Sequence, residues 1–60
     1  MNRLLTIREV AEALRISRSA LYRLALQRRI PSLRVGGAVR FDERQIEAWL
    51  REHSREEEAR

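Results

Sequence analysis

Only Arg15 and Ile16 stand between two stretches of helical apolar spacing, and that narrow gap constrains the fold more than any other feature of the chain. On one side, Ile7, Val10, Ala11 and Leu14 recur at i, i+3, i+4 and i+7, the stripe of a short helix over 7–14. Thr6-Ile-Arg-Glu9 forms a capping box at its start, in which Thr6 and Glu9 satisfy each other's orphan backbone donors, with Leu5 placed to staple onto Val10. On the other side Ser17 is an N-cap, and no Gly or Pro follows until Pro31, so a second helix is predicted over 18–27. Ala20, Leu21, Leu24 and Ala25 share its inner side, while Arg18, Ser19, Tyr22 and Arg23 share the outer one. Two helices joined by so short a turn cross steeply and share a core, with Ile16 as the buried plug of the turn.

Past Pro31, which stops any continuing helix, Leu33 and Val35 alternate with Arg34, and Val39 and Phe41 with Arg40. Around Gly36-Gly37 this reads as a hairpin over 32–41. A two-residue loop would pair Arg34 with Val39 and mix the two faces. A three-residue loop, Gly36 to Ala38, pairs Val35 with Val39, Arg34 with Arg40 and Leu33 with Phe41, and is the register expected. It sets two arginines directly opposite each other, an arrangement that an anion can offset and that is otherwise unfavourable. Asp42 then caps a third helix over 43–53, with Gln45 completing a capping box and Ile46, Trp49 and Leu50 as its stripe. Trp49 closes the core, and His53 lies near the helix end. Met1 to Leu5 is a lead-in. Residues 54–60, charged and without an apolar residue larger than alanine, are either a frayed helical extension or a disordered tail, leaving one domain over 1–53. Arg8 with Glu12, and Glu47 with Arg51, are candidate i,i+4 ion pairs.

Charge is more informative than length. All thirteen basic residues are arginine, a fork suited to phosphate and guanine, although codon bias alone produces the same usage. Residues 1–40 hold nine of them against Glu9 and Glu12, a balance of +7. Residues 41–60 hold four against seven acids, −3, and the two together give the chain's +4. A polyanion should meet the first two-thirds and avoid the last. No carboxylate pair lies on an apolar wall, no glycine-rich loop opens a helix, and no nucleophile has a histidine near it, so the residues point to no catalysis, metal or cofactor. With no cysteine and no apolar run near 20 residues, nothing indicates a disulfide framework or a membrane span, and a cytoplasmic location is expected.

Three pieces now stand in series: Thr-Ile-Arg-Glu-Val-Ala-Glu-Ala-Leu-Arg-Ile-Ser, then Ser-Ala-Leu-Tyr-Arg-Leu, then Ile-Pro-Ser-Leu-Arg-Val-Gly-Gly-Ala-Val-Arg-Phe-Asp. From Leu5 to about Leu50 the chain resembles the excisionase-type, MerR-like winged helix-turn-helix DNA-binding domains. The resemblance implies a mostly helical fold of three helices with a two-stranded wing. It places the second helix in the major groove of double-stranded DNA and the hairpin on the neighbouring backbone or minor groove. Ser17, Arg18, Ser19, Tyr22 and Arg23 map to the recognition helix, Arg34, Gly36, Gly37 and Arg40 to the wing, and Thr6 to a helix cap able to hold a phosphate. Three positions depart from the pattern. Arg28 stands where glycine is common, Ala38 where the wing tip is often basic, and Leu26 where a polar residue is usual.

The expectation is therefore a sequence-specific DNA-binding protein without catalysis, bound cooperatively to repeated sites on the nucleoid. An excisionase-like recombination directionality factor or a small transcription regulator fits, with self-association on DNA or a recombinase or toxin as partner. The alternatives are the targeting domain of a larger recombinase or transposase, an antitoxin, or an interaction adaptor that has lost DNA. Neither a membrane nor a small-molecule substrate is implied.

Overall fold

A computed structural model describes residues 2–58 of the chain. The elements run β1 (Leu4–Thr6), α1 (Ile7–Leu14), α2 (Arg18–Leu26), β2 (Leu33–Val35), β3 (Ala38–Asp42) and α3 (Glu43–Glu58). Three helices and a small antiparallel sheet, ordered β1-β3-β2, make up the winged helix-turn-helix fold.

Local chemistry sets each helix start. Thr6 Oγ accepts from the Glu9 N–H at 3.1 Å, and the Glu9 carboxylate accepts from the Thr6 N–H at 2.9 Å, closing the capping box of α1. Ser17 Oγ accepts from the Ala20 N–H at 3.0 Å to cap α2. Asp42 caps α3 by accepting from the Arg44 N–H at 2.8 Å and the Gln45 N–H at 3.2 Å, and it also takes the Asn2 side-chain amide at 3.1 Å. The apolar stripes meet in one core of Val10, Ala11, Leu21, Ile30, Phe41 and Ile46, with Leu5, Ile7, Leu14, Leu24 and Trp49 packed against it. Phe41 is fully buried, so trimming it to alanine should cost about 3–5 kcal/mol.

Both helices of the tight pair end in the same way. Arg15 (φ 59°, ψ 44°) and Arg28 (φ 56°) adopt the left-handed conformation. After α1, Arg15 N–H bonds to Glu12 O at 3.2 Å and Ile16 N–H to Ala11 O at 3.1 Å. After α2, Arg28 N–H bonds to Ala25 O at 3.1 Å and Arg29 N–H to Leu24 O at 2.9 Å. These are paired Schellman closures, a geometry in which glycine is free of the roughly 1–2 kcal/mol that a Cβ costs.

Several expectations are corrected. The lead-in over 1–5 is instead, from Leu4, a third strand that pairs with β3 through Leu5↔Phe41 and Thr6↔Arg40. The hairpin takes the two-residue loop: Val35 faces Ala38, Arg34 faces Val39 and Leu33 faces Arg40. Gly36 and Gly37 both have positive φ, 57° and 88°, as the favoured type I′ connection demands. Because Leu33, Arg34 and Val35 are all exposed, β2 has no buried face to enforce the alternative register, and the turn decides. Ile16 and Leu50, expected in the core, are each 37% exposed. Helix α3 runs to Glu58 instead of ending near His53, so 54–58 continue it as the helical extension that is one of the two readings of this segment; residues 59 and 60 lie outside the described residues. Neither expected i,i+4 ion pair closes among the described residues, where acids contact Arg3 instead, Glu9 at 3.2 Å and Glu43 at 4.0 Å. Exposed pairs of long side chains gain too little to hold one geometry.

Candidate nucleic-acid interface

Helix α2 buries Leu21 and turns Arg18, Ser19, Tyr22, Arg23, Leu26 and Gln27 outward. Arg18, Tyr22 and Leu26, spaced four apart, form one ridge of that face, and Ser19, Arg23 and Gln27 form the next. Leu26 is 58% exposed, so it does not pack beneath the hairpin. Apart from its cap, Ser17 lies at the exposed start of this face.

A groove opens at each end of α2. At its N-terminal end the walls carry Arg8, Arg15 and Arg18 together with Ser17, Ser19 and Glu12. At its C-terminal end the groove runs between α2 and β2 and carries Tyr22, Arg28, Arg29 and Arg34, over an apolar floor that includes Ile30 and Val39. Trp49 lines the same groove and donates its indole N–H to Arg29 O at 3.0 Å, fastening α3 to the segment that leaves α2. His53 stacks on Trp49 with ring centroids 4.0 Å apart and places Nδ1 2.9 Å from Trp49 O.

Sheet register divides the two hairpin arginines. Residues paired across strands share a face, so Arg34 lies with Val39 on the face that carries Phe41 into the core and looks toward α2. Arg40 lies on the opposite face with Thr6 and Leu33, and its guanidinium donates to Val39 O at 2.8 Å. The structure thus brings Arg34 together with Tyr22 and separates both from Arg40. Gly36 and Gly37 form an exposed tip, and a Cβ built on either meets nothing within 4 Å, so the backbone there is open to a ligand.

The electrostatics are one-sided. Arg8, Arg15, Arg18, Arg23, Arg28, Arg29, Arg34 and Arg40 have no carboxylate within 4.0 Å among the described residues. Thr6 is different, because the Glu9 carboxylate already occupies the start of α1. The Thr6 N–H holds that carboxyl below its ordinary range, helped by the Thr6 hydroxyl and the Arg3 guanidinium. Asp42 is likewise held low, first by the Asn2 amide and then by the Gln45 and Arg44 N–H groups. Such an array of guanidiniums, hydroxyls and a phenol can hydrogen-bond to phosphates and to the acceptor edges of bases. Among the described residues no group of three His, Cys, Asp or Glu side chains is placed to hold a metal ion, and no helix is long and apolar enough to cross a membrane.

Arg8, Arg15, Arg28 and Arg29 were not among the residues expected at the interface. Arg28 carried a visible signal, a bulky residue at a helix exit that favours glycine. For Arg15 no single residue signals the left-handed helix end that fills the two-residue gap.

A family model described as a helix-turn-helix domain matches residues 4–54. No curated protein and no solved structure matches the chain.

Proposed function

Since the chain belongs to the helix-turn-helix domain family, whose members are characterised by DNA binding, we propose that it is a sequence-specific double-stranded DNA-binding protein that catalyses no reaction. The observation that carries this reading is the continuous exposed face of α2, joined across one groove to Arg34. Helix α2 enters the major groove, where Arg18, Ser19 and Arg23 meet base edges and Ser17 and Tyr22 meet the flanking phosphates. Arg34 and the open Gly36-Gly37 backbone rest on the adjoining sugar-phosphate strand. Arg40, on the far face of the sheet, reaches DNA only if the hairpin tip enters the minor groove. Thr6 contributes no anion site while Glu9 occupies it.

A single domain of this size covers a short site, and useful specificity calls for more than one copy. The role proposed is that of a small cytoplasmic factor on the nucleoid, bound cooperatively to repeated sites, in the manner of an excisionase-like directionality factor or a transcription regulator.

A gel shift on random-sequence duplex at two salt concentrations tests the core of the proposal. Retardation at low salt that weakens steeply as salt rises is the expected result. Absence of retardation at low salt would overturn it and leave an interaction adaptor as the reading.

A further inference from the structure

We infer that Arg15 and Arg28 are phosphate anchors, one for each DNA backbone flanking the groove that α2 enters, and that arginine stands at these left-handed positions for contact with DNA rather than for stability. This rests on the DNA-binding reading above and adds two residues to it.

The backbone supplies the first half of the argument. The four Schellman hydrogen bonds at the ends of α1 and α2 are made by main-chain atoms alone. Neither arginine side chain takes part, and glycine would form the same closures without a strained Cβ. A strained conformation held by a residue that gains nothing locally is a pointer to function.

Placement supplies the second half. Arg15 shares the N-terminal groove with Arg8 and Arg18, and Arg28 shares the C-terminal groove with Arg34 and Tyr22. Between them lie α2 and its flanking Ile16, Ser17 and Gln27; α2 itself is nine residues and so about 14 Å long, close to the roughly 12 Å width of a B-DNA major groove. Seated with its axis across the groove, a helix of that length leaves the residues just beyond its two ends over the two phosphate walls. A left-handed residue has a fixed backbone, so each guanidinium starts from a rigid base instead of a fraying helix end. No carboxylate lies within 4.0 Å of either among the described residues. Glu12 lines the groove of Arg15, which makes Arg15 the weaker anchor of the two. The competing account is that each cation merely complements a helix C-terminus. It predicts a loss of stability on removal and no specific change in salt dependence.

The test compares the full chain with Arg15→Gly, Arg28→Gly, the double variant, Arg28→Lys and Arg51→Ala. Each is melted thermally, and each is titrated against fluorescein-labelled random-sequence duplex over a range of salt. Each glycine variant should melt at a higher temperature than the parent and yet bind more weakly: Arg28→Gly about eightfold at 0.1 M salt, with the slope of log K against log salt smaller by about 0.9, Arg15→Gly by less on both counts, and the double variant by the sum of the two. Arg28→Lys should keep the parental slope, because it keeps the charge. Arg51→Ala, which removes an equal charge from the exposed surface of α3, should leave the slope unchanged. If the parent binds and the glycine variants match its affinity and slope, or melt lower than it does, the anchors are refuted while the DNA-binding reading stands. If the Arg51 variant loses as much slope as the others, net charge is responsible and the anchors are again refuted. If the parent itself does not bind, the failure is that of the underlying reading.

Discussion

Arg34 and Arg40 leave opposite faces of one three-stranded sheet, Arg34 beside Val39 and Arg40 beside Leu33, and only Arg34 looks into the groove shared with Tyr22. Replacing Arg34 with alanine should weaken binding on every duplex sequence and reduce the salt slope by about 0.9. Arg40→Ala should have a smaller effect on both. Anisotropy titrations of the two variants decide the matter, and equal losses would show that the hairpin tip is gripped on both faces.

Arg18 and Arg23 stand on the two adjoining ridges of α2 and differ from Arg34 in what they are placed to meet. Alanine at either should relax base preference at one position of a selected site, by about 1–3 kcal/mol, besides lowering overall affinity. A panel of singly mutated sites reads this directly. A uniform loss across the panel would reassign the residue to backbone contact.

The Gly36-Gly37 loop makes a separate prediction about the wing. Both glycines have positive φ with open space around them, so the requirement is conformational and not steric. Gly36→Asn should be nearly neutral, since asparagine is favoured at that position of a type I′ turn, whereas Gly37→Ala should cost about 1 kcal/mol. Thermal melts of the two variants test the assignment, and the reverse order would point to a different turn.

Glu9 and Asp42 tie stability to pH. Both carboxyls are held below their ordinary range in the folded chain, Glu9 chiefly by the Thr6 N–H and Asp42 chiefly by the Asn2 amide. A carboxyl whose folded value lies below its unfolded one contributes stability above the unfolded value and loses it as pH falls through the folded one. Melting temperature should therefore fall as the solution is acidified below about pH 4. In Glu9→Gln the amide oxygen can still accept from Thr6 N–H but the charge is gone. Its deficit against the parent at neutral pH should shrink as the solution is acidified through the lowered range in which the parent carboxyl takes up its own proton. A deficit independent of pH would mean that the ionised form is not the one the cap favours.

The helices were legible in the sequence because their determinants are local. Thr6 with Glu9, Ser17 and Asp42 mark the starts within three residues, and the 3.6-residue stripes pick out Val10, Ala11, Leu21 and Ile46 for the core. The same periodicity exposed Arg18, Ser19, Tyr22 and Arg23 correctly. What escaped was non-local. Leu4–Thr6 becomes a strand only because β3 pairs with it, and three residues carry no periodicity of their own. Arg34 and Arg40 fall on opposite faces because the loop is one residue shorter than the apolar alternation implies, and an exposed edge strand has no apolar face to enforce that alternation. The left-handed Arg15 was hidden for a similar reason: propensity disfavours it, and the closure of two helices against one core overrides propensity.

The chain has one tryptophan, and its indole lines the C-terminal groove with its N–H committed to Arg29 O. Anything polyanionic that settles beside Arg28 and Arg34 alters the polarity around that ring. Trp49 is thus a native optical reporter: unlabelled protein should disclose occupancy of its own groove by a change in ultraviolet emission, with no dye attached to either partner.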